Sequence, residues 1–220
     1  MIDALVIGAS GGIGAAVARE MEARGGRVAR VSRSADGLDV TDPASVARVL
    51  GALEGPFQTV FVATGVLAPP GGRPERSLAQ IDGAAMAQVL AVNTVGVGLL
   101  LSHLPQLLPK DGRSVTGVLT ARVGSIRDNK IGGWYSYRAS KAAANQLVHG
   151  AGIELARTHP GAIIAALHPG TVETPFTSGY PGHKKVPASQ AAGHLLDVME
   201  RLSPEQSGGF FDYAGLEVPW

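Results

Sequence analysis

Seven residues near the start of the chain, Gly8-Ala9-Ser10-Gly11-Gly12-Ile13-Gly14, set the strongest limit on its fold. They follow a short apolar run, Ala4-Leu5-Val6-Ile7, and lead into Ile13, Val17 and Met21, which recur at helical spacing until Gly25-Gly26. The pattern reads strand, glycine turn, helix. In that setting Gly8 permits a tight turn, Gly12 lets the backbone approach a pyrophosphate, and Gly14 lets the helix pack on the strand. The free N–H groups of the helix then face the phosphates. Such a turn serves nicotinamide, flavin or S-adenosylmethionine equally well. The absence of Gly-Lys-Ser/Thr argues against a P-loop nucleotidase.

The unit recurs along the chain. Val28 to Val31 reads as a second strand, and Asp42 caps a helix with Pro43 at its first position and Val46, Val49 and Leu50 on its apolar face. Further strands are expected at Thr59 to Ala63, Val115 to Thr120 and Ile163 to Leu167, with helices at Leu78 to Leu101 and Tyr135 to Ala156. Regular alternation implies an α/β fold, a doubly wound parallel sheet of the Rossmann type, as one domain over residues 1–220. Its ligands sit at the carboxyl ends of the strands. Val66 to Ser77 and Phe176 to Pro187, rich in Pro and Gly, read as loops. The first has either no role or a place over the crevice; the second is expected to act as a lid over a substrate site.

Composition narrows the function further. With 19 Lys and Arg against 18 Asp and Glu, there is no basic footprint for nucleic acid; the only cluster is His183-Lys184-Lys185. The lack of cysteine excludes disulfides, thiolate metal sites and a cysteine nucleophile, and fits a reducing, cytoplasmic compartment. Apolar residues begin at Ile2, too early for a secretory signal. Gly83 to Pro109 carries no charge, but Gln88, Asn93, Thr94, Ser102, His103 and Pro105 interrupt it, against a membrane span. The six histidines form no pair at helical metal-ligand spacing, so no metal site is expected.

The end of the second strand selects the cofactor. NAD-binding proteins commonly hold the ribose hydroxyls with an acid there, whereas this chain reads Val31-Ser32-Arg33-Ser34. Arg33 can pair with a 2′-phosphate, which favours NADP(H) over NAD(H), with NAD(H) still possible. The same missing acid argues against a methyltransferase. Asp39-Val40 would lie near the adenine. Farther along, Tyr137 and Lys141 stand four residues apart at the start of a helix and share a face. A cation beside a phenol favours the phenolate, making Tyr137 a usable proton donor and acceptor.

Together these motifs resemble the short-chain dehydrogenase/reductase family over nearly the whole chain. Gly8, Gly12 and Gly14 match its cofactor glycines, and Asn93 in Ala91-Val92-Asn93-Thr94 its active-site asparagine. Tyr137 and Lys141 match its Tyr-x-x-x-Lys, and Pro169-Gly170-Thr171-Val172-Glu173-Thr174 its nicotinamide-side motif. Val123-Gly124-Ser125-Ile126 and Gly132-Gly133-Trp134-Tyr135-Ser136-Tyr137 look most like the small C-factor-like and sniffer-like carbonyl reductases. The resemblance implies that Tyr137 moves the proton on the substrate oxygen while hydride passes between nicotinamide and carbon. Lys141 would hold the ribose hydroxyls and keep the Tyr137 pKa low, and Asn93 would place a water linking Lys141 to solvent. Cofactor contacts are then expected from Gly8, Ser10, Gly11, Gly12, Ile13, Gly14, Ser32, Arg33, Asp39, Val40, Ala63, Thr64, Gly65, Asn93, Tyr137, Lys141, Pro169, Gly170, Val172 and Thr174.

One position departs from the family pattern. Where a serine usually polarises the carbonyl the chain has Ala121, in Thr120-Ala121, so one donor to the developing oxyanion is missing. Ser125 is the candidate to supply that hydroxyl; strand alternation aims Thr120 away from the face of Ala121. If neither serves, the chain is a slow reductase or a dinucleotide-binding sensor without turnover. Val123, Ile126, Trp134 and Phe176 are the expected substrate wall, suited to small apolar carbonyl or alcohol compounds. Glu173 and Asp212 read as solvated or capping. The helices around Asn93 and after Tyr137 resemble the family's pairing surface, which implies a homodimer or homotetramer.

Overall fold

The protein is described by a computed structural model over residues 3–179 and 184–220. Ile2, His183 and the middle of the 176–187 segment lie outside the described residues. The elements run β1 (Asp3–Ile7), α1 (Gly12–Ala23), β2 (Arg27–Val31), α2 (Arg33–Asp36), α3 (Pro43–Gly51) and β3 (Thr59–Val62). Next come α4 (Gly83–Leu90), a π-helical turn (Ala91–Val95), α5 (Gly96–Leu101), α6 (Leu104–Leu107), β4 (Ser114–Leu119), α7 (Tyr135–Leu155) and β5 (Ala162–His168). The chain continues through β6 (Val172–Glu173), β7 (Val186–Pro187), α8 (Ala188–Arg201) and β8 (Phe210–Asp212).

Six strands form one parallel sheet in the order β2-β1-β3-β4-β5-β8. The chain leaves β1 toward one edge and returns to β3 on its other side, so a crevice opens between their carboxyl ends. Alternation along β1 divides the core: Leu5 and Ile7 join Val62, Leu100, Val148 and Ile164 on one face. Ala4 and Val6 join Val17, Met21, Phe61, Leu195 and Met199 on the other. This doubly wound sheet in a single domain is the architecture expected from the alternating elements.

Capping explains the main boundary difference. The Asp82 carboxylate accepts from the Ala85 N–H at 2.7 Å and starts α4 at Gly83; Leu78–Gln80 is a separate 3₁₀ turn, not part of the long helix the apolar pattern suggests. Gly83–Leu101 is long and apolar enough to cross a membrane by length and composition. In this fold it carries the fully buried Asn93, whose side chain bonds to Val66 and Ser140 on other elements. The sequence reading leaves α8 and β8 unassigned. α8 covers α1 through Leu195, Met199 and Val17, and Arg24 ties the two helices through Asp197 and Glu200, both at 2.8 Å.

Candidate active site

A cavity of about 510 Å³ opens at the carboxyl ends of β1, β3, β4 and β5. Its floor on the α1 side is backbone. Gly8 has φ +88°, and a Cβ there would lie 2.9 Å from the Ala63 carbonyl, so only glycine fits. A Cβ on Gly12 would lie 2.7 Å from the Thr174 Cγ2, and one on Gly14 would collide with the Gly8 carbonyl oxygen. No side chain caps α1 at Gly11, which keeps the first-turn N–H groups open to an anion. Ser10, Gly11, Gly12, Ile13, Gly14, Ala63, Thr64 and Gly65 line this half, with Pro169, Gly170, Val172 and Thr174 opposite. A glycine-rich cradle beside an open helix start fits a dinucleotide phosphate.

Ser32, Arg33, Asp39 and Val40 stand outside the cavity, toward the edge strand β2. Ser32 caps α2 by accepting from the Ala35 N–H at 3.1 Å, and Arg33 is exposed beside it. The Asp39 carboxylate accepts from Thr41 Oγ1 at 2.7 Å and from the Thr41 N–H at 2.9 Å, which together hold it below the usual carboxylate range. Val40 is half-buried against Gly96, where a Cβ would come within 2.8 Å of its Cγ2.

The other half is set by α7. Tyr137 and Lys141 are buried one turn apart, with the Lys141 ammonium 5.8 Å from the phenol ring centroid and donating to the Leu119 carbonyl at 3.0 Å. The Asn93 amide oxygen accepts from the Val66 N–H, while its nitrogen donates to the Val66 carbonyl and to Ser140 Oγ, at 2.8, 2.8 and 3.0 Å. A Cβ on Gly65 would touch both Asn93 Oδ1, at 3.2 Å, and Lys141 Nζ, at 3.3 Å. Tyr137, Lys141 and Asn93 therefore meet around one glycine. The side chain of Asn93 makes three hydrogen bonds to protein atoms.

Burial reverses the electrostatic expectation for the pair. The Tyr137 phenol is pushed above its ordinary value because burial penalises the phenolate, and desolvation lowers Lys141 to about 8. Both shifts have the same cause, the loss of solvent around a charged form.

Three substrate-side expectations need correction. Ser125 is buried, but its hydroxyl donates to the Pro219 carbonyl and accepts from the Asp128 N–H at 3.0 Å, outside the cavity. Ile126 is 79% exposed on the turn beyond it and is no part of the wall. Thr120 does line the cavity beside Ala121, because the chain leaves β4 after Leu119 and strict alternation stops there. Its buried hydroxyl has no hydrogen-bond partner among the described residues.

Val123, Trp134 and Phe176 stand in the wall, and the Trp134 and Phe176 rings lie 6.2 and 6.0 Å from that of Tyr137. Phe176 arrives on the segment expected to be a lid, whose two ends are tied by pairing of Val172 with Val186. The sequence reading missed Leu67 and His168 in the lining. His168 directly precedes Pro169-Gly170 at the end of β5, and that adjacency was the available signal. Burial, with Arg122 adding to it, lowers its pKa to about 4. Glu173 is exposed, and Asp212 caps a turn by accepting from the Ala214 and Leu216 N–H groups. Among the described residues no cluster suited to a metal ion is present.

Comparison with known proteins agrees with this geometry. The profile of the family described as Enoyl-(Acyl carrier protein) reductase matches residues 8–206. The 1-hydroxy-2-glutathionyl-2-methyl-3-butene dehydrogenase of Rhodococcus sp. (strain AD45) is 33% identical over 100% of both chains. The C-signal protein of Myxococcus xanthus is 39% identical over 66% of this chain and 84% of its own. A putative short-chain dehydrogenase/reductase from Burkholderia multivorans with bound NADP superposes with a TM-score of 0.82 at 25% identity, covering 100% of this chain and 99% of that one. With its glycine cradle, its Tyr137–Lys141–Asn93 cluster and these relatives, the chain belongs to the short-chain dehydrogenase/reductase family of oxidoreductases.

Proposed function

We propose that the protein is an NADP(H)-dependent oxidoreductase that moves a hydride between the nicotinamide and a small carbonyl or secondary alcohol substrate. One observation carries the reading: a phenol, a lysine of lowered pKa and a buried asparagine converge beside an apolar cavity next to a glycine cradle. The bound nicotinamide supplies or accepts the hydride. Tyr137 donates its proton to the carbonyl oxygen during reduction, or takes it from the alcohol during oxidation. Lys141 holds the ribose hydroxyls and, at a pKa of about 8, stays largely protonated at neutral pH. Asn93 fixes Val66 and Ser140, and so holds the loop after β3 against α7. Val123, Trp134 and Phe176 exclude water and favour apolar substrates. The Rhodococcus relative's name, a dehydrogenase of a hydroxyl-bearing compound, supports the same reaction class.

Preference for NADP(H) over NAD(H) rests on exposed Arg33 and on the NADP bound to the Burkholderia relative. A homodimer or homotetramer is part of the proposal: Val95 in the π turn and Leu147 and Ile153 on α7 are 52, 37 and 52% exposed. Light scattering giving only a 22.5 kDa species would reject it.

Ala121 in the cavity wall supports a second reading, a dinucleotide-binding relative with little turnover. Oxidation of NADPH in the presence of aldehydes, ketones and quinones separates the two. Steady turnover with any of them supports the reductase, whereas tight NADPH binding with no turnover across the panel supports the second reading.

A further inference from the structure

Glu75 is a buried acid that the proposed chemistry leaves unused, 8% exposed on the loop between β3 and α4. It reaches across 61 residues of sequence to the start of α7. Its carboxylate accepts from the Ser136 hydroxyl and from the Ser136 N–H at 3.3 Å, and its own carbonyl accepts from the Trp134 N–H at 2.5 Å. A Cβ on Gly133 would lie 3.4 Å from that same carbonyl, so the loop is seated directly on this turn.

The turn needs support. Gly132, Gly133 and Trp134 are consecutive left-handed residues with φ of 71, 64 and 52°. Glycine adopts that conformation freely, but a tryptophan holds it only where its surroundings determine it. Trp134 is also the N-cap of α7 and places no side-chain oxygen on the helix N–H groups. Glu75 performs that function from another segment, setting a carboxylate at the positive end of α7. Arg138 holds the opposite side of the turn through the Gly132 and Gly133 carbonyls at 3.2 and 3.0 Å. Leu67, at the start of the Glu75 loop, and Trp134, at its far attachment, are both cavity walls.

We propose that Glu75 is a positioning residue: it clasps the 66–77 loop to the first residues of α7, orients Trp134 and Tyr137 across the cavity, and thereby sets the bulk of carbonyl substrate the site admits. The proposal rests on the reading of this cavity as a substrate site. Its consequence is selective. The glycine turn lies between β1 and α1, whereas the clasp joins the loop after β3 to the start of α7, so substrate selection depends on Glu75 more than cofactor binding does.

The test uses the full chain carrying Trp220→Phe, which leaves Trp134 as the one tryptophan of the two. Glu75→Ala, Glu75→Gln and the milder Ser136→Ala are compared by acrylamide quenching of Trp134, NADPH affinity, and kcat and KM for a small aliphatic and a bulky aromatic aldehyde. Glu75→Ala is expected to expose Trp134 to quencher and to lower kcat/KM for the bulky aldehyde about tenfold, mainly through KM, with NADPH affinity unchanged. Glu75→Gln, which keeps one acceptor oxygen, should recover part of the loss, and Ser136→Ala should show a smaller shift of the same kind. Unchanged quenching and unchanged selectivity in all three would overturn the proposal. So would equal losses in NADPH affinity and in both aldehydes, which mark a general loss of structure. If the parent protein turns over none of the aldehydes, the reductase reading fails, while the quenching comparison still decides whether Glu75 holds Trp134.

Discussion

Along the α1 side of the cavity, the glycines of Gly8 to Gly14 bring backbone to the wall, inside one strand-turn-helix unit. Along the α7 side, Ala121, the Trp134 to Tyr137 turn and Phe176 come from three separate segments, held by contacts that span much of the chain. Glu75 meets Ser136 across 61 residues and Ser125 meets Pro219 across 94. The first half is constrained by local sterics, where one added methyl group collides. The second depends on distant partners, so its residue types are free to vary if those contacts persist. This short-chain dehydrogenase/reductase fold thus joins a locally specified cradle to a cavity wall open to revision, and Ala121 is one such revision.

The sharpest way to break the contrast is at the cradle. Gly12→Val places a side chain where Cβ alone would stand 2.7 Å from Thr174 Cγ2. NADPH affinity, measured by fluorescence titration, should fall on the order of a hundredfold, about 2.8 kcal/mol. Retained affinity would mean that the dinucleotide lies elsewhere.

On the other half, a substitution should improve the enzyme. Ala121→Ser returns a hydroxyl to the wall and is expected to raise kcat by about ten- to a hundredfold, at unchanged NADPH affinity. No gain would show that another donor already occupies that role, with Thr120 the adjacent candidate.

The outer end of the cradle is tested by Arg33→Ala. Loss of a charge-assisted bond to a 2′-phosphate should weaken NADPH binding by about 1.5 to 3 kcal/mol and leave NADH unchanged. Equal losses for both dinucleotides would remove Arg33 from cofactor selection.

His168 lines the cavity on the strand between the two halves, and its effect is on stability. Its folded pKa is depressed to about 4 from 6.5, so below pH 6.5 the unfolded chain binds a proton that the folded chain refuses. Stability therefore falls as pH drops through that window, by about 2 kcal/mol between pH 7 and pH 5 for this residue. Urea unfolding at the two pH values should show the slope in the parent and a shallower one in His168→Gln.

The same contrast decides what could be read in advance. The sheet, the glycine turn and Tyr137 with Lys141 are carried by spacing within one element, and periodicity reveals them. Ser125 is expected to replace the hydroxyl missing at Ala121 and Ile126 to reach the pocket, yet the tail beyond β8 takes the Ser125 hydroxyl at Pro219 and Ile126 lies in solvent. Thr120 enters the wall because β4 ends one residue before it, a boundary that alternation does not mark. Nothing around Glu75 in the sequence distinguishes it from a solvated acid in a Pro- and Gly-rich loop. The raised Tyr137 and lowered Lys141 pKa values likewise depend on burial, which a helical spacing does not report.

Tyr137→Phe removes the phenol oxygen while keeping the ring against Trp134 and Phe176, and so tests the proton transfer itself. With the carbonyl compound that the parent protein reduces fastest, NADPH oxidation should fall by at least about a hundredfold while NADPH binding stays intact. An unchanged rate in that variant would contradict the assignment of Tyr137 as the proton donor and, with it, the mechanism proposed for this cavity.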